Sequence, residues 1–142
     1  MKRKYPKVII SEEGEKWLDK GQMWMYRNNA VNIDETIENG ALVDIITTTG
    51  RYLGTGFISK NSHITVRILS KDINEIFDRN FFKRRIQFAY NFRKTVEKEN
   101  LTNCRLVFGE ADELPGLTVD RYNDILVCQI SSYGLEKIKD MI

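Results

Sequence analysis

The sequence predicts an α+β protein in which a compact β-rich barrel is followed by a connecting helix and then by the first strands of an α/β domain. Short β-prone segments separated by glycines fill the first 70 residues. The apolar residues then recur with a helical period over residues 73–99, and strand-like segments return after Asn100. The predicted parts are a barrel at 1–71, a connecting helical segment at 72–100 and the start of an α/β domain at 101–142.

The barrel is predicted to contain one early helix. A strand candidate, Lys7–Ile10, precedes Ser11, which suits an N-cap because acidic residues fill the next helical turn. The helix is predicted to pass through Trp17 and Leu18 and to end at Gly21. The other strand candidates are Trp24–Tyr26 and residues 41–49, 52–59 and 64–69. Gly54 and Gly56 lie where a small barrel must bend tightly.

The second half begins with the helical pattern over residues 73–99, read as one helix or as two with a break near Arg79. Strands are predicted at residues 105–108, 117–121 and 125–130, with a tight turn at Asn123 and Asp124. A further helix is predicted from Gly134 to Ile142. The sequence stops inside the apolar pattern of that helix, so we expect the chain to be part of a longer protein.

The basic residues are unevenly distributed, although the formal net charge is only +2. Residues 51–71 contain Arg51, Lys60, Arg67 and Lys71 and no acidic residue. Residues 101–142 hold four bases and seven acids. This asymmetry predicts a first module that binds a polyanion and a second module with another role.

The composition excludes several classes of protein. Two cysteines and a single histidine cannot form a zinc site. Two isolated cysteines fit a reducing compartment, and no apolar run approaches the ~18 residues that span a membrane. We therefore expect a soluble cytoplasmic protein without a membrane partner.

Two motifs resemble those of a known family. Residues 81–86 read Phe-Phe-Lys-Arg-Arg-Ile, and residues 109–124 read Gly-Glu-Ala-Asp-Glu-Leu-Pro-Gly-Leu-Thr-Val-Asp-Arg-Tyr-Asn-Asp. Both resemble signatures of the bacterial large-subunit rRNA cytosine-C5 methyltransferases. The first 70 residues resemble the PUA domain of that family, a small RNA-binding pseudo-barrel, and Trp24–Tyr26 is similar to its tryptophan-containing strand. The resemblance thus implies a PUA-like β pseudo-barrel at the start of the chain.

In the family that this chain resembles, a C-terminal Rossmann-like domain binds S-adenosylmethionine and carries the catalytic cysteine. The present sequence has no glycine-rich strand-to-helix turn followed by an acidic ribose ligand. The resemblance therefore implies an RNA-recognition and scaffold fragment that is inactive alone, with rRNA as partner and S-adenosylmethionine bound only by the full-length protein. A homodimer remains open. The alternatives are a stand-alone RNA-binding accessory module, and a structural or dimerisation module without RNA contact.

The candidate RNA-binding residues are aromatic or basic and lie in the first module: Trp24, Tyr26, Arg27, Arg51, Lys60, Arg67 and Lys71. Aromatic rings can stack on unpaired bases and guanidinium groups can hold phosphates. Trp24 and Tyr26 can equally be barrel core, because aromatic residues in strands often are. The N-terminal bases Lys2, Arg3, Lys4 and Lys7 are either a phosphate-binding arm or a solvated terminus.

No catalytic, cofactor-binding or metal-binding residue is assigned. The acidic residues of the second motif are interpreted as turn and packing determinants: Glu110, Asp112, Glu113, Asp120 and Asp124. Cys128 lies in an apolar strand without a basic neighbour in sequence, so we expect it in the core rather than as a reactive thiolate. Cys104 is interpreted in the same way, and His63 is placed in a surface turn.

Overall fold

The computed structural model describes residues 3–142, and they divide into two compact units. The first unit extends to Glu75, and the second comprises Ile76–Ile142. The prediction made for Lys2 lies outside the described residues. No helix within residues 3–142 is both long and apolar enough to cross a membrane.

The first unit is a curled six-stranded sheet with one helix against it. Its elements are β1 Lys7–Ile10, α1 Glu12–Asp19, β2 Trp24–Tyr26, β3 Ala30–Asn32, β4 Leu42–Thr47, β5 Tyr52–Ile58 and β6 Ile64–Ser70. The strand order is β2-β6-β5-β4-β1-β3; β1 and β4 are parallel and the other pairs antiparallel. Side chains that face the inside of the curl form the core, including Val8, Ile10, Leu18, Met25, Ile45, Val66 and Ile68.

The predicted early helix is confirmed, together with its cap. The Ser11 hydroxyl accepts a hydrogen bond from the backbone nitrogen of Gly14 at 3.2 Å. Gly14 lets the helix approach the sheet closely, because an added Cβ would lie 2.7 Å from Asn29 Cβ and 2.5 Å from Ile10 Cγ1. Leu18 is buried on the inner face of the helix. This packing fixes which face of α1 points outwards.

Gly56 is required by the close approach of β5 and β6. An added Cβ at Gly56 would overlap the carbonyl oxygen of Arg67 and lie 2.7 Å from Ile68 Cα. The register of β5 against β6 shifts between Thr55 and Gly56, as in a β-bulge. The predicted tight bending at this glycine therefore has a specific cause, namely contact with the backbone of the next strand.

The second unit packs a long helix against an antiparallel sheet of order β7-β8-β9. Its elements are α2 Arg79–Val96, β7 Asn103–Phe108, β8 Leu117–Tyr122, β9 Ile125–Ile130 and the short helix α3 Tyr133–Lys137. Asn123 has a left-handed backbone (φ +53°) in the predicted turn between β8 and β9. Together the two units confirm the predicted α+β class.

The predicted start of the long helix is wrong by six residues. The helix begins at Arg79 because Asp78 is its N-cap, with Oδ1 accepting a hydrogen bond from Phe81 N at 3.0 Å. Before it, Asp72 Oδ1 accepts a hydrogen bond from Asn74 N at 2.8 Å and closes an Asx turn. These local hydrogen bonds prevail over the apolar periodicity of residues 73–77. The strand β3 was also missed, and the helix predicted over residues 134–142 ends at Lys137.

The prediction that Cys128 lies in the core is wrong. Cys128 is exposed on β9, the outer strand of the sheet of the second unit. The apolar residues around it are exposed as well, with Leu126 58% and Val127 50% accessible. An apolar strand sequence does not bury a residue unless another layer covers that strand. Cys104 is partly buried, and His63 lies in the predicted turn between β5 and β6.

The acidic side chains of residues 109–124, here called the acidic motif, form ion pairs and a backbone hydrogen bond within the second unit. Asp112 forms a buried ion pair with Arg93, with Oδ2 2.7 Å from Nη2, and it accepts a hydrogen bond from Phe108 N at 2.6 Å. Glu113 is paired with Arg85. Asp120 forms two hydrogen bonds with Arg105, at 2.8 and 3.1 Å. Within residues 3–142, no group of three or more His, Cys, Asp or Glu side chains could hold a metal ion.

Candidate nucleic-acid interface

The alternation of β2 separates one core residue from two outward-facing aromatic residues. Met25 is completely buried, whereas Trp24 and Tyr26 on either side of it are half-buried. Successive side chains of a strand point to opposite faces of the sheet. Met25 is therefore the core residue of this strand, and both aromatic rings lie on the outer face.

The two aromatic residues of β2 belong to a cluster with a third ring from α1. The ring centroids of Trp17 and Tyr26 are 6.0 Å apart, with an interplanar angle of 57°, and those of Trp24 and Tyr26 are 6.5 Å apart, edge to face. The Trp17 indole nitrogen donates a hydrogen bond to the Trp24 carbonyl at 3.2 Å. This bond ties the helix to the strand and fixes the position of the Trp17 ring.

Basic residues adjoin the aromatic cluster through the pairing of β2 with β6. The register places Trp24 opposite Arg67, whose Nη1 donates a 3.4 Å hydrogen bond to the Ile64 carbonyl. Beyond the end of β2, Arg27 Nη1 donates to the Lys60 carbonyl at 2.7 Å. Arg27 and Arg67 thus hydrogen-bond to neutral carbonyls and keep guanidinium charge that no described carboxylate neutralises.

Lys60 is partly neutralised. Its Nζ donates a 2.7 Å hydrogen bond to the Glu35 carbonyl and lies 3.9 Å from the Glu35 carboxylate. The Glu35 carboxylate is largely solvated, with 88% of its side chain accessible, so the pair is weak. Lys60 therefore retains most of its positive charge, although only 20% of its side chain is accessible.

Arg51 and Lys71 are held by α1. Arg51 Nη2 lies 2.6 Å from a Glu15 oxygen and 2.9 Å from an Asp19 oxygen. Hydrogen bonds to Asp19 and then Glu15 raise the pKa of Arg51 above its usual value. Lys71 Nζ donates a 2.7 Å hydrogen bond to the Leu18 carbonyl in the last turn of α1, a favourable position for a cation. These partners in α1 could not be predicted from residues 51–71, which contain no acidic residue, because they come from a distant segment of the chain.

Arg3 is part of an internal polar network rather than a free basic arm. Its guanidinium makes two 3.0 Å hydrogen bonds to the Asp44 carboxylate and a 2.7 Å bond to Thr55. It also lies over the ring of Tyr52, 5.1 Å from the centroid. Hydrogen bonding to Asp44 raises the pKa of Arg3, and burial raises the pKa of Tyr52. Arg3 therefore anchors the start of the chain to the sheet.

Sequence reasoning missed a groove between α1 and β2. Its volume is about 460 Å³, and it is lined by Glu13, Lys16, Trp17, Lys20, Tyr26, Asn28 and Asn29. Glu13, Lys16 and Trp17 are spaced i, i+3 and i+4, which places them on one face of α1, and Lys20 is the C-cap of that helix. The sequence feature that could have indicated this groove is the pair Trp17 and Leu18. Adjacent residues of a helix point about 100° apart, so only one of the two can face the core and the other must face outwards.

The second unit has a larger groove of about 750 Å³, with a different character. Half of its lining is aliphatic or methionine and the other half is polar, charged or aromatic, with no Cys, Ser, Thr or His: Arg79, Lys83, Ile86, Gln87, Tyr90, Leu106, Val107, Val119, Arg121, Asn123, Asp124, Leu126, Met141 and Ile142. Cys104 lies elsewhere, and burial, with a smaller effect of Glu97, raises the pKa of its thiol. A raised pKa makes Cys104 a poor nucleophile at neutral pH.

Comparison with known proteins gives two consistent results for the sequence. Residues 8–71 match the family described as PUA-like domain. The chain is 40% identical over 138 residues to the ribosomal RNA large subunit methyltransferase I of Shewanella denitrificans, an alignment that covers 96% of this chain and 35% of that protein. The same-named protein of Shewanella amazonensis is 42% identical over 131 residues, covering 92% of this chain and 33% of that protein.

Solved structures show the same fold. One, named as a methyltransferase complexed with SAH, superposes with a TM-score of 0.84 at 22% identity and covers 96% of this chain and 35% of its own. A second, a SAM-dependent methyltransferase from Streptococcus mutans, has a TM-score of 0.83 at 22% identity, covering 96% of this chain and 36% of its own. The chain spans about a third of the length of the curated relatives it matches.

Proposed function

We propose that this chain is the RNA-reading and scaffold part of an rRNA methyltransferase. The premise is that the chain carries a PUA-like domain and is homologous to the N-terminal region of ribosomal RNA large subunit methyltransferase I. The first unit binds rRNA. The second unit provides scaffold, because its acidic motif is occupied by the ion pairs of Arg93 with Asp112 and of Arg105 with Asp120.

The observation that carries this proposal is the outer face of β2 and β6. There, the indole of Trp24 is the cross-strand neighbour of Arg67, and Arg27 follows Tyr26 directly. Aromatic rings beside guanidinium groups without carboxylate partners are a suitable surface for unpaired nucleotides. The sequence candidates Trp24, Tyr26, Arg27, Lys60 and Arg67 are the proposed contacts. Arg51 and Lys71 contribute less, because α1 already engages them.

The test is fluorescence anisotropy with a labelled single-stranded rRNA fragment at several salt concentrations. If three to five of these side chains neutralise phosphates, log K falls against log salt with a slope of about −2 to −4. The double variant Arg27→Glu/Arg67→Glu weakens binding across all RNA sequences, because phosphate contacts position the RNA without reading it. Its salt slope becomes shallower by about 1.4, since two contacts are lost.

The matched control is Arg121→Glu in the second unit. Like Arg27, Arg121 donates a hydrogen bond to a backbone carbonyl, that of Asn123, at 2.8 Å. It lies in the acidic third of the sequence, so its reversal leaves RNA affinity unchanged. Affinity that is independent of salt, or equal in the double variant and the parent chain, contradicts RNA binding and favours a purely structural module.

The finer reaction that we propose for the whole protein is methyl transfer to C5 of cytosine in large-subunit rRNA. Support comes from the resemblance of residues 81–86 and 109–124 to that family. S-adenosylmethionine supplies the methyl group when bound, but the described residues do not fit it. Strands β7, β8 and β9 are all antiparallel. The parallel strand β1 leads into α1 through Ser11 and not through a glycine-rich turn. Mass spectrometry of nucleosides from rRNA treated with the whole protein distinguishes 5-methylcytidine from other products.

A further inference from the structure

The helix α2 carries two aromatic side chains that the second unit leaves uncovered. Phe82 and Ala89 are buried, whereas Phe88 and Phe92 are 62% and 57% exposed. Phe88 and Phe92 lie four positions apart in the helix, so their rings share one side of it. Grouped apolar side chains on a surface mark a place of interaction, and these two rings add little burial to the fold.

The same helix is strongly basic. Its 18 residues contain six Lys or Arg residues and no Asp or Glu. Two of the six charges are used within the unit, because Arg85 pairs with Glu113 and Arg93 pairs with Asp112 of the acidic motif. Lys83 is exposed and has no ion pair within residues 3–142. The helix therefore presents positive charge that the acidic motif does not neutralise.

A shallow pocket on α2 brings the aromatic and basic features together. Its volume is about 280 Å³, and it is lined by Asn80, Lys83, Arg84, Gln87 and Phe88. These positions are spaced i, i+3, i+4, i+7 and i+8, which places them along one side of the helix. One aromatic ring, two cations and two side-chain amides thus lie together in one pocket.

The chemistry of this pocket selects the class of ligand. A planar base can stack on an exposed aromatic ring while adjacent cations hold its phosphates. A side-chain amide offers both donors and acceptors to the edge of a base. An apolar protein surface would remove the Lys83 ammonium from water without pairing it, which costs free energy. The pocket therefore fits a nucleotide better than it fits an apolar protein partner.

We propose that this pocket on α2 is a second RNA contact, in which Phe88 stacks on one unpaired base and Lys83 and Arg84 hold the adjoining phosphates. The Gln87 amide nitrogen donates a 3.0 Å hydrogen bond to Asn91, which leaves the Gln87 carbonyl oxygen for the edge of the base. The inference rests on the proposed RNA binding and goes beyond it, because the second unit then holds RNA as well as providing scaffold.

The test compares a single-stranded RNA oligonucleotide with an abasic strand of the same length, by fluorescence anisotropy on the full chain. Phe88→Ala weakens binding of the normal strand by about 5- to 100-fold, the usual effect of losing one stacked base. It leaves the abasic strand unaffected, because that strand has no base to stack. Phe88→Tyr retains most of the affinity, since it keeps an aromatic face. The matched control is Tyr133→Ala, another exposed aromatic residue of the second unit, which leaves both affinities unchanged.

The phosphate contact is tested separately through the salt dependence. Lys83→Gln makes the slope of log K against log salt shallower by about 0.7, because one contact to single-stranded RNA is lost. The matched control is Lys139→Gln, since Lys139 is already paired with Glu136 at 2.7 Å, and it leaves the slope unchanged. A Lys83→Gln slope equal to that of the parent chain overturns the phosphate contact.

A further measurement requires no substitution. RNA that contains 4-thiouridine is irradiated in complex with the chain, and the tryptic peptides are analysed by mass spectrometry. A cross-link is expected in the peptide of residues 86–93, which contains Phe88. Cross-links confined to peptides of the first unit overturn the inference.

The outcomes separate this inference from the proposed function. If Phe88→Ala binds both strands like the parent chain while Arg27→Glu/Arg67→Glu loses affinity, α2 holds no base and RNA binding by the first unit stands. Equal losses for the normal and abasic strands also overturn base stacking. If Phe88→Ala leaves RNA affinity unchanged but lowers self-association in sedimentation velocity, the patch joins copies of the chain and the inference is wrong. If neither variant changes binding and binding is independent of salt, RNA recognition itself is contradicted.

Discussion

At the scale of single residues, Asp112 and Asp120 show how burial changes the contribution of an ion pair to stability. Both carboxylates pair with an arginine, and both were interpreted from sequence as packing determinants. The side chains of Asp112 and Arg93 are 9% and 10% accessible, whereas those of Asp120 and Arg105 are 24% and 46% accessible. Hydrogen bonding to Arg105 lowers the pKa of Asp120, but solvent screens such an exposed pair.

Asp112→Ala is expected to lower the free energy of unfolding by about 3 kcal/mol, because it leaves the buried Arg93 charge and the Phe108 N–H without their acceptor. The measurement is urea denaturation followed by far-ultraviolet circular dichroism. Asp120→Ala is the control and causes a much smaller loss. If the two substitutions lower the free energy of unfolding equally, burial of the pair between Arg93 and Asp112 does not increase its contribution to stability.

At the scale of elements, the positions of α1 and β6 follow from glycines that admit close contact. Gly14 lies against Ile10 and Asn29, and Gly56 lies against the backbone of β6. The pairing that Gly56 allows sets the register of β5 with β6. Because β6 pairs in turn with β2, this register also places Arg67 beside Trp24.

Gly56→Ala is therefore expected to destabilise the first unit by about 3 kcal/mol, since the new methyl group meets backbone that cannot rotate away. Gly54→Ala is the graded control. Its Cβ would lie 3.0 Å from a methyl group of Ile68 and 3.2 Å from the Ser70 carbonyl oxygen, much farther from backbone than at Gly56, so about 1 kcal/mol is expected. Thermal unfolding monitored by tryptophan fluorescence reports on this unit, which holds both tryptophans. A Gly56→Ala protein as stable as Gly54→Ala would contradict the close approach.

At the scale of the whole molecule, the described chain consists of two units with different surface chemistry. The first presents rings and uncompensated guanidinium groups on one face, and the second pairs its acidic motif internally. The homologous proteins are about three times longer than this chain. The chain therefore corresponds to the part of such a protein that we propose reads RNA and supports the remainder.

Calorimetric titration of this chain with S-adenosylmethionine is expected to show no saturable binding at micromolar concentrations. The reason is that the sheet of the second unit is antiparallel and that no described strand leads through a glycine-rich turn into an α-helix. The control titration uses a whole protein of the length of the relatives, for which we propose saturable binding of the cofactor. One-to-one micromolar binding by the present chain would contradict this assignment.

The sequence by itself determined the features that depend on local chemistry. Ser11 predicted the cap of α1, the alternation after Ile64 predicted β6, and Asn123 predicted the turn between β8 and β9. Each depends on hydrogen bonds or side-chain periodicity within a few residues, which a sequence displays directly. The motif at residues 109–124 likewise indicated the homology on which the functional proposal rests.

Only the tertiary structure decided which side chains are available. Arg51 meets Glu15 and Asp19 across more than 30 residues, Trp17 turns outwards because Leu18 fills the core, and Cys128 is exposed because it lies on an outer strand. Burial and ion pairing depend on segments far apart in the chain, so neither composition nor periodicity reveals them. For that reason the basic module could be predicted from the sequence, whereas its aromatic groove could not.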